Sequence, residues 1–154
     1  CNHTKGKPWA VAASHYPFFC SSDVYNCTKN NRSLLEIFSA LNDFDYDLYF
    51  SGHTHAYERE YPFYKGTVFR VEGPYHNIDS LVTIVEGVAG NKNDIEEESY
   101  PLLDVTARAT YNQTGFGFML IHNETHLEYQ HYSTLATGMV LTDEVLMTKY
   151  EARK

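Results

Sequence analysis

The sequence predicts an α/β fold with a β-rich carboxyl-terminal end. Strand, amphipathic helix and strand patterns follow one another over residues 10–50. Short β-branched segments occupy the middle, and three apolar-rich segments close the chain. At 154 residues and 43% hydrophobic, with 13 Tyr and 9 Phe to fill a core, the chain supports one packed domain and is too apolar to be disordered as a whole.

Lys7-Pro8-Trp9 leads into Ala10-Val11-Ala12-Ala13-Ser14, a buried strand that delivers His15 and that Pro17 stops. Residues 20–32 read as a polar loop. Ser33 stands as a helix cap with Glu36 at the capping-box position, and Leu34, Leu35, Phe38 and Leu41 form one apolar stripe in a helix through Asn42. Tyr46 to Phe50 is the next strand, which completes a βαβ pattern. Such units place ligands beyond the carboxyl ends of their strands, where His15 and the pair His53 and His55 both stand. Thr67 to Val71 and Leu81 to Val85 are short β-branched strands, and Gly87, Gly90 and Asn91 then turn the chain. Residues 91–104, with Asp94, Glu96, Glu97, Glu98 and Asp104, read as a solvated loop. Phe116 to His122, Leu127 to Tyr132 and Met139 to Met147 read as three consecutive strands, the first two joined near Asn123-Glu124-Thr125.

Charge narrows the function. Lys and Arg total 12 against 20 Asp and Glu, a formal net charge of -8. That balance excludes a nonspecific nucleic-acid binder, which needs concentrated positive charge. A phosphate substrate held by metal ions stays open, because the ions supply the local charge. No apolar run reaches the roughly 18 residues of a membrane span.

Cys20 and Cys27 bracket a polar loop, so a local disulfide is expected, with Cys1 free or paired outside this sequence; three unrelated thiols are the alternative. Glycosylation sequons occur at Asn2, Asn26, Asn31, Asn112 and Asn123. Their density, against about one or two at ordinary composition, points to a secreted or lysosomal protein. The opening Cys1-Asn2-His3-Thr4, without a signal peptide, reads as the result of processing or trimming.

Neutral imidazoles bind zinc and iron, and a glycine followed by His-x-His at a strand end aims two of them in diverging directions. Gly52-His53-Thr54-His55 therefore suits two adjacent ions, and His15 offers a third ligand from the neighbouring strand. Taken alone, a histidine at a strand end such as His15 more often serves structure, and Gly52-His53-Thr54-His55 could equally do so. Three histidines do not complete two coordination spheres. Asp43, Asp45 and Asp47 precede the second strand, at its wrong end, so the acidic ligands are expected on a segment outside this sequence. His3, His76, His122, His126 and His131 read as surface or packing residues, and Glu58 or Arg59 as paired braces of the loop.

Ser14-His15-Tyr16-Pro17, Gly52-His53-Thr54-His55-Ala56-Tyr57-Glu58-Arg59 and Tyr61-Pro62 resemble the carboxyl-terminal half of the purple acid phosphatases, which are calcineurin-like metallophosphoesterases. Val85 to Asn91, Gly115-Phe116-Gly117-Phe118 and the final strands extend the resemblance over nearly the whole chain. It implies half of a four-layer αββα sandwich. Residues 1–154 would be the carboxyl-terminal part of the catalytic domain, with the amino-terminal half, its partner, absent. It also implies a dinuclear centre of Fe(III) with Zn(II), Mn(II) or Fe(II), in which His15 and His53 hold the divalent ion and His55 the ferric ion. The remaining ligands belong to the amino-terminal half, and a homodimer is compatible with the family.

One departure bears on catalysis. Many members carry arginine after the first histidine and further histidines about ten residues on; here Tyr16 and Asp23-Val24-Tyr25 stand instead. Tyr25 becomes the candidate hydrogen-bond donor to a leaving group. The implied activity is hydrolysis of small phosphate monoesters by the intact protein, with this chain inactive alone. Phosphodiester or nucleotide hydrolysis, and a noncatalytic secreted glycoprotein retaining the fold, are the alternatives.

Overall fold

The computed structural model describes residues 7–22, 32–90, 94–96 and 101–150. Strand β1 (Val11–Ala13), helix α1 (Arg32–Asp43) and strand β2 (Leu48–Ser51) form the expected βαβ unit, but β1, expected to be buried, is largely exposed because it is the edge of its sheet. β2 lies parallel to β1, with Ala12 opposite Tyr49, and parallel to β7 (Val82–Glu86), with Phe50 opposite Ile84. β3 (Tyr57–Glu60) runs antiparallel to β7, and β8 (Thr106–Thr110) antiparallel to β3. The resulting five-stranded sheet has the order β1-β2-β7-β3-β8.

The β-rich end forms a second sheet. β9 (Thr114–Ile121), β10 (His126–Leu135) and β11 (Gly138–Thr148) are antiparallel neighbours, and β6 (Tyr75–His76) joins β11 in parallel, giving the order β6-β11-β10-β9. The two sheets face each other across a core of Leu48, Tyr57, Tyr75, Ile84, Leu127, Tyr129, Val145 and Met147. Helix α1 covers the other face of the five-stranded sheet through Phe38, which packs with Phe18, Tyr49 and Leu81. The chain is thus mixed α/β and strand-rich, two facing sheets with a helix on the outer face of one.

α1 starts earlier than its sequence signals suggest. Ser33 is helical, and Glu36 pairs with Arg32 at 2.9 Å instead of closing a capping box. Asn42, at the far end, is buried and accepts a hydrogen bond from the Leu81 amide at 2.9 Å, which fixes the helix to the start of β7. The strand expected over 67–71 stops at Val68. It is β5 (Thr67–Val68), half of a hairpin with β4 (Phe63–Tyr64) turned by Lys65 and Gly66 at φ 47° and 81°. Positive φ at both turn residues is the geometry of a tight two-residue hairpin.

β3 has no counterpart in the sequence reading. All four of its residues are buried, although three of them are ionisable. Arg59 and Tyr57 point into the sandwich, where Asp143 receives Arg59 Nε at 2.6 Å, Arg59 Nη2 at 2.9 Å and the Tyr57 hydroxyl at 2.5 Å, while Arg59 also binds the Tyr75 hydroxyl. Burial opposes ionisation of Asp143, but the bidentate bonds and charge of Arg59, with the Tyr57 hydroxyl, hold its carboxyl below the usual range.

Cross-sheet contacts run from β6 and β11 to β3, and from β10 to β7 and β2. β1 and β9 therefore end their sheets on the same side of the sandwich. Among the described residues neither has a strand partner on its outer edge, and β9 leaves Phe118, Met119, Leu120 and Ile121 exposed there. Long, apolar, unpaired edges are what folded proteins normally cover. No helix among the described residues is long and apolar enough to cross a membrane.

Candidate metal centre

Because β1, β2 and β7 are parallel, the segments that leave their carboxyl ends share one rim. Two backbone bonds join the first two segments there: the Ser14 amide donates to the Phe50 carbonyl at 3.0 Å and the Gly52 amide to the His15 carbonyl at 3.2 Å. The Tyr49 hydroxyl adds a third tie, donating to the Tyr16 carbonyl at 2.6 Å while Ser14 Oγ lies 2.6 Å away. Burial raises the Tyr49 pKa, with the Ser14 hydrogen bond opposing, so the hydroxyl stays protonated as a donor.

His53 sits in the left-handed region at φ 65°, a conformation a non-glycine residue adopts at some cost and one that clusters at functional sites. That backbone turn brings its Nδ1 to 3.0 Å from His15 Nε2. The two rings stand 4.9 Å apart at 78°, and Tyr16 packs on both, at 4.9 Å from His15 and 4.5 Å from His53. Partial burial lowers the His53 pKa, and the neighbouring charges of His15 and His55 push it the same way. The neutral imidazole, the ligand form, is thereby favoured.

The donor set fits a metal. Two imidazole nitrogens each about 2.0–2.1 Å from one ion lie roughly 3 Å apart at ordinary coordination angles, which matches the His15–His53 separation of 3.0 Å. His55 is oriented separately: its Nδ1 lies 2.8 Å from the Asp94 carbonyl oxygen. A proton on Nδ1 donated to that carbonyl fixes the tautomer and leaves Nε2 with its lone pair, the usual outer support of a ligating histidine. Among the described residues no group of three or more His, Cys, Asp or Glu is gathered around one point. The chain brings together a pair of histidines and a third beside it.

Acidic residues take other posts. Asp47, at the opposite end of β2, accepts the Ala10 amide at 2.8 Å and pairs with Lys149 at 2.8 Å. Glu58 is fully buried and accepts from the Ser21 amide at 2.8 Å, Ser21 Oγ at 2.5 Å and Thr106 Oγ1 at 2.6 Å. Glu96 is buried too, against the expectation of a solvated loop, because its amide donates to the His55 carbonyl at 3.0 Å and folds the segment inward.

Glu60 accepts Thr83 Oγ1 at 2.6 Å through one oxygen, and its other oxygen is buried without a hydrogen-bond partner. Burial, and then the charge of Glu58, raise its pKa well above the ordinary carboxylate range. Its favourable contribution is present below the unfolded value near 4.5 and is lost as pH rises through the raised folded value. Glu60→Gln is accordingly expected to raise the urea midpoint at pH 7.5, with the gain over wild type shrinking toward pH 4.5. A pH-independent difference would contradict it.

Cys20 is disulfide-bonded. Its expected partner Cys27, together with Tyr25, Asn2, Asn26 and Asn31, lies outside the described residues. Asn112 and Asn123 are both exposed on turns, and Asn123 Oδ1 accepts the Thr125 amide at 2.8 Å and Thr125 Oγ1 at 2.9 Å. His131, read as a packing residue, is one: it is fully buried and stacks on Tyr57 with ring centres 3.7 Å apart. Sequence reading missed the Asp94 carbonyl and the Tyr49 hydroxyl. The first is backbone and carries no residue signature; the second is hidden in a strand otherwise read as apolar.

Residues 80–144 match the family described as iron/zinc purple acid phosphatase-like protein C. Acid phosphatase type 7 of Mus musculus is 29% identical over 151 residues, covering 89% of this chain and 34% of its own length; the Homo sapiens protein of that name is 30% identical with the same coverage. An acid phosphatase of Aspergillus ficuum is 33% identical over 132 residues, covering 80% of this chain and 21% of its own length. The chain thus spans about a third or less of the length of these relatives. In fold it is similar to the purple acid phosphatase PPD1 from yellow lupin seeds, with a TM-score of 0.75 at 17% identity over 92% of this chain and 25% of that one.

Proposed function

This chain belongs to the carboxyl-terminal region of the purple acid phosphatases, and on that premise we propose that the intact protein hydrolyses phosphate monoesters at a dinuclear centre of the iron/zinc type. The observation that carries the reading is the convergence of His15 Nε2 and His53 Nδ1 at 3.0 Å on the strand rim. His15 and His53 would hold the divalent ion, Zn(II), Mn(II) or Fe(II), and His55, through Nε2, a ferric ion. When bound, the metal pair supplies the positive charge that binds phosphate oxygens, acidifies a water and stabilises the breaking P–O bond.

The chain's own contribution is positioning. The Gly52–His15 and Ser14–Phe50 backbone bonds hold the two histidine segments side by side, and the Asp94 carbonyl fixes the His55 tautomer. Tyr16 shields one side of the His15–His53 pair. Tyr25 is the proposed hydrogen-bond donor to the leaving group. The acidic ligands would come from the amino-terminal part of the protein, the partner of this segment. The open edges of β1 and β9 lie on one side, where such a part has strands to pair with.

We place the protein in a secreted or lysosomal setting. The disulfide at Cys20 fits an oxidising compartment, and exposed Asn112 and Asn123 are sequons open to glycosylation. The activity is tested by assaying the intact protein against an aryl phosphate monoester and the matching diester at acidic pH. The reading expects the monoester to be hydrolysed with the higher kcat/KM; a strong diester preference would replace it with a phosphodiesterase assignment.

A further inference from the structure

Thr54, between the two histidines of the rim, is fully buried, and its peptide lies against the chain where β7 ends. The neighbour is Gly87. A Cβ built there would overlap the Thr54 carbonyl oxygen, lie 2.8 Å from the Thr54 carbonyl carbon and 3.6 Å from that of Gly52. All three atoms are backbone, so no side-chain rotation relieves the collision. Gly87 does not adopt a positive φ; glycine is required here for space. By contrast, a Cβ on Gly52, inside the histidine motif itself, would meet nothing within 4 Å.

We propose that Gly87 is a positioning residue for the metal-binding histidines, setting the location of the Thr54 peptide and with it both imidazoles that flank it. Its amide also donates to the Ala56 carbonyl at 3.2 Å, so the end of β7 holds the histidine loop at two points. That end is fixed in turn from the second sheet: the Glu86 carboxylate accepts from the Tyr129 hydroxyl and has His131 Nδ1 at 3.0 Å. His131 is itself immobilised by burial and by its stacking on Tyr57. The path from β10 through Glu86 and Gly87 to Thr54 makes the second sheet a support for the metal centre. Outer supports of this kind are typically worth 10–100-fold in metal affinity.

The inference rests on the reading of His15, His53 and His55 as ligands, and its test separates the two. The intact protein and its Gly87→Ala variant are stripped of metal, and zinc affinity is measured by competition with a chromophoric chelator. Urea unfolding of the metal-free forms is followed in parallel. The expected result is a cooperatively folded variant whose zinc affinity falls by roughly 10-fold or more. A folded variant with wild-type affinity would overturn the assignment. Should Gly87→Ala not fold, Glu86→Gln decides, since it loosens the same clamp without adding an atom. A several-fold loss of zinc affinity in folded Glu86→Gln supports the proposal; unchanged affinity, or loss of the fold in both variants, overturns it. Absence of zinc binding in the unmodified protein would instead remove the ligand reading on which it stands.

Discussion

Asp143→Ala is expected to destabilise the intact protein by about 3–5 kcal/mol, the range found when one partner of a buried ion pair is removed. Both side chains of the Arg59–Asp143 pair are nearly inaccessible to solvent, at 6% and 3% exposure, so water does not replace the lost anion. The variant leaves the Arg59 guanidinium and the Tyr57 hydroxyl without their shared acceptor, between two sheets that pack against each other at that point. Urea denaturation reads the effect as a lower midpoint at unchanged slope. Because the Asp143 carboxyl is held below its ordinary range, the contribution is present above its unfolded value near 3.8 and is lost only as pH falls through the lower folded value. A loss under 1 kcal/mol would mean that the pair is solvated in solution and does not tie the sheets.

His53→Ala is expected to act on chemistry and to leave the fold intact. The ring is only half-buried, so its removal should change the unfolding free energy of the metal-free protein by no more than about 1 kcal/mol. In the intact protein, however, it removes one of the two imidazoles that meet at 3.0 Å. Losing several kcal/mol of transition-state charge stabilisation corresponds to a fall in kcat/KM on the order of 10³-fold. Steady-state rates with a monoester, set beside the urea midpoint, check both halves. A modest rate change with a large loss of stability would show that His53 serves packing.

The two variants probe regions of unequal legibility. The βαβ unit and the three closing strands were readable because each buries one face, so apolar residues recur at the period of a helix or a strand. Placing His15 and the His53/His55 pair beyond adjacent parallel strands followed from that pattern. β3 was not readable. Tyr57-Glu58-Arg59-Glu60 has both faces covered, and its polar groups bond to Asp143, Ser21, Thr106 and Thr83, residues distant in sequence, with one Glu60 oxygen left unpaired. Glu96 misled for the same reason: its burial is set by a backbone bond to His55, which its charged neighbours in the sequence do not reveal. Gly87 looked like an ordinary turn glycine until the Thr54 peptide was found against it.

The most direct test of the central claim, that imidazoles from neighbouring strand tips hold catalytic metal, is elemental analysis of the intact protein purified without added metal, beside its His15→Ala/His53→Ala double variant. The account predicts about two transition-metal ions per wild-type chain and at least one fewer in a variant that remains folded. An unchanged metal count in the variant, or a natively folded wild-type protein that carries no metal, would contradict it.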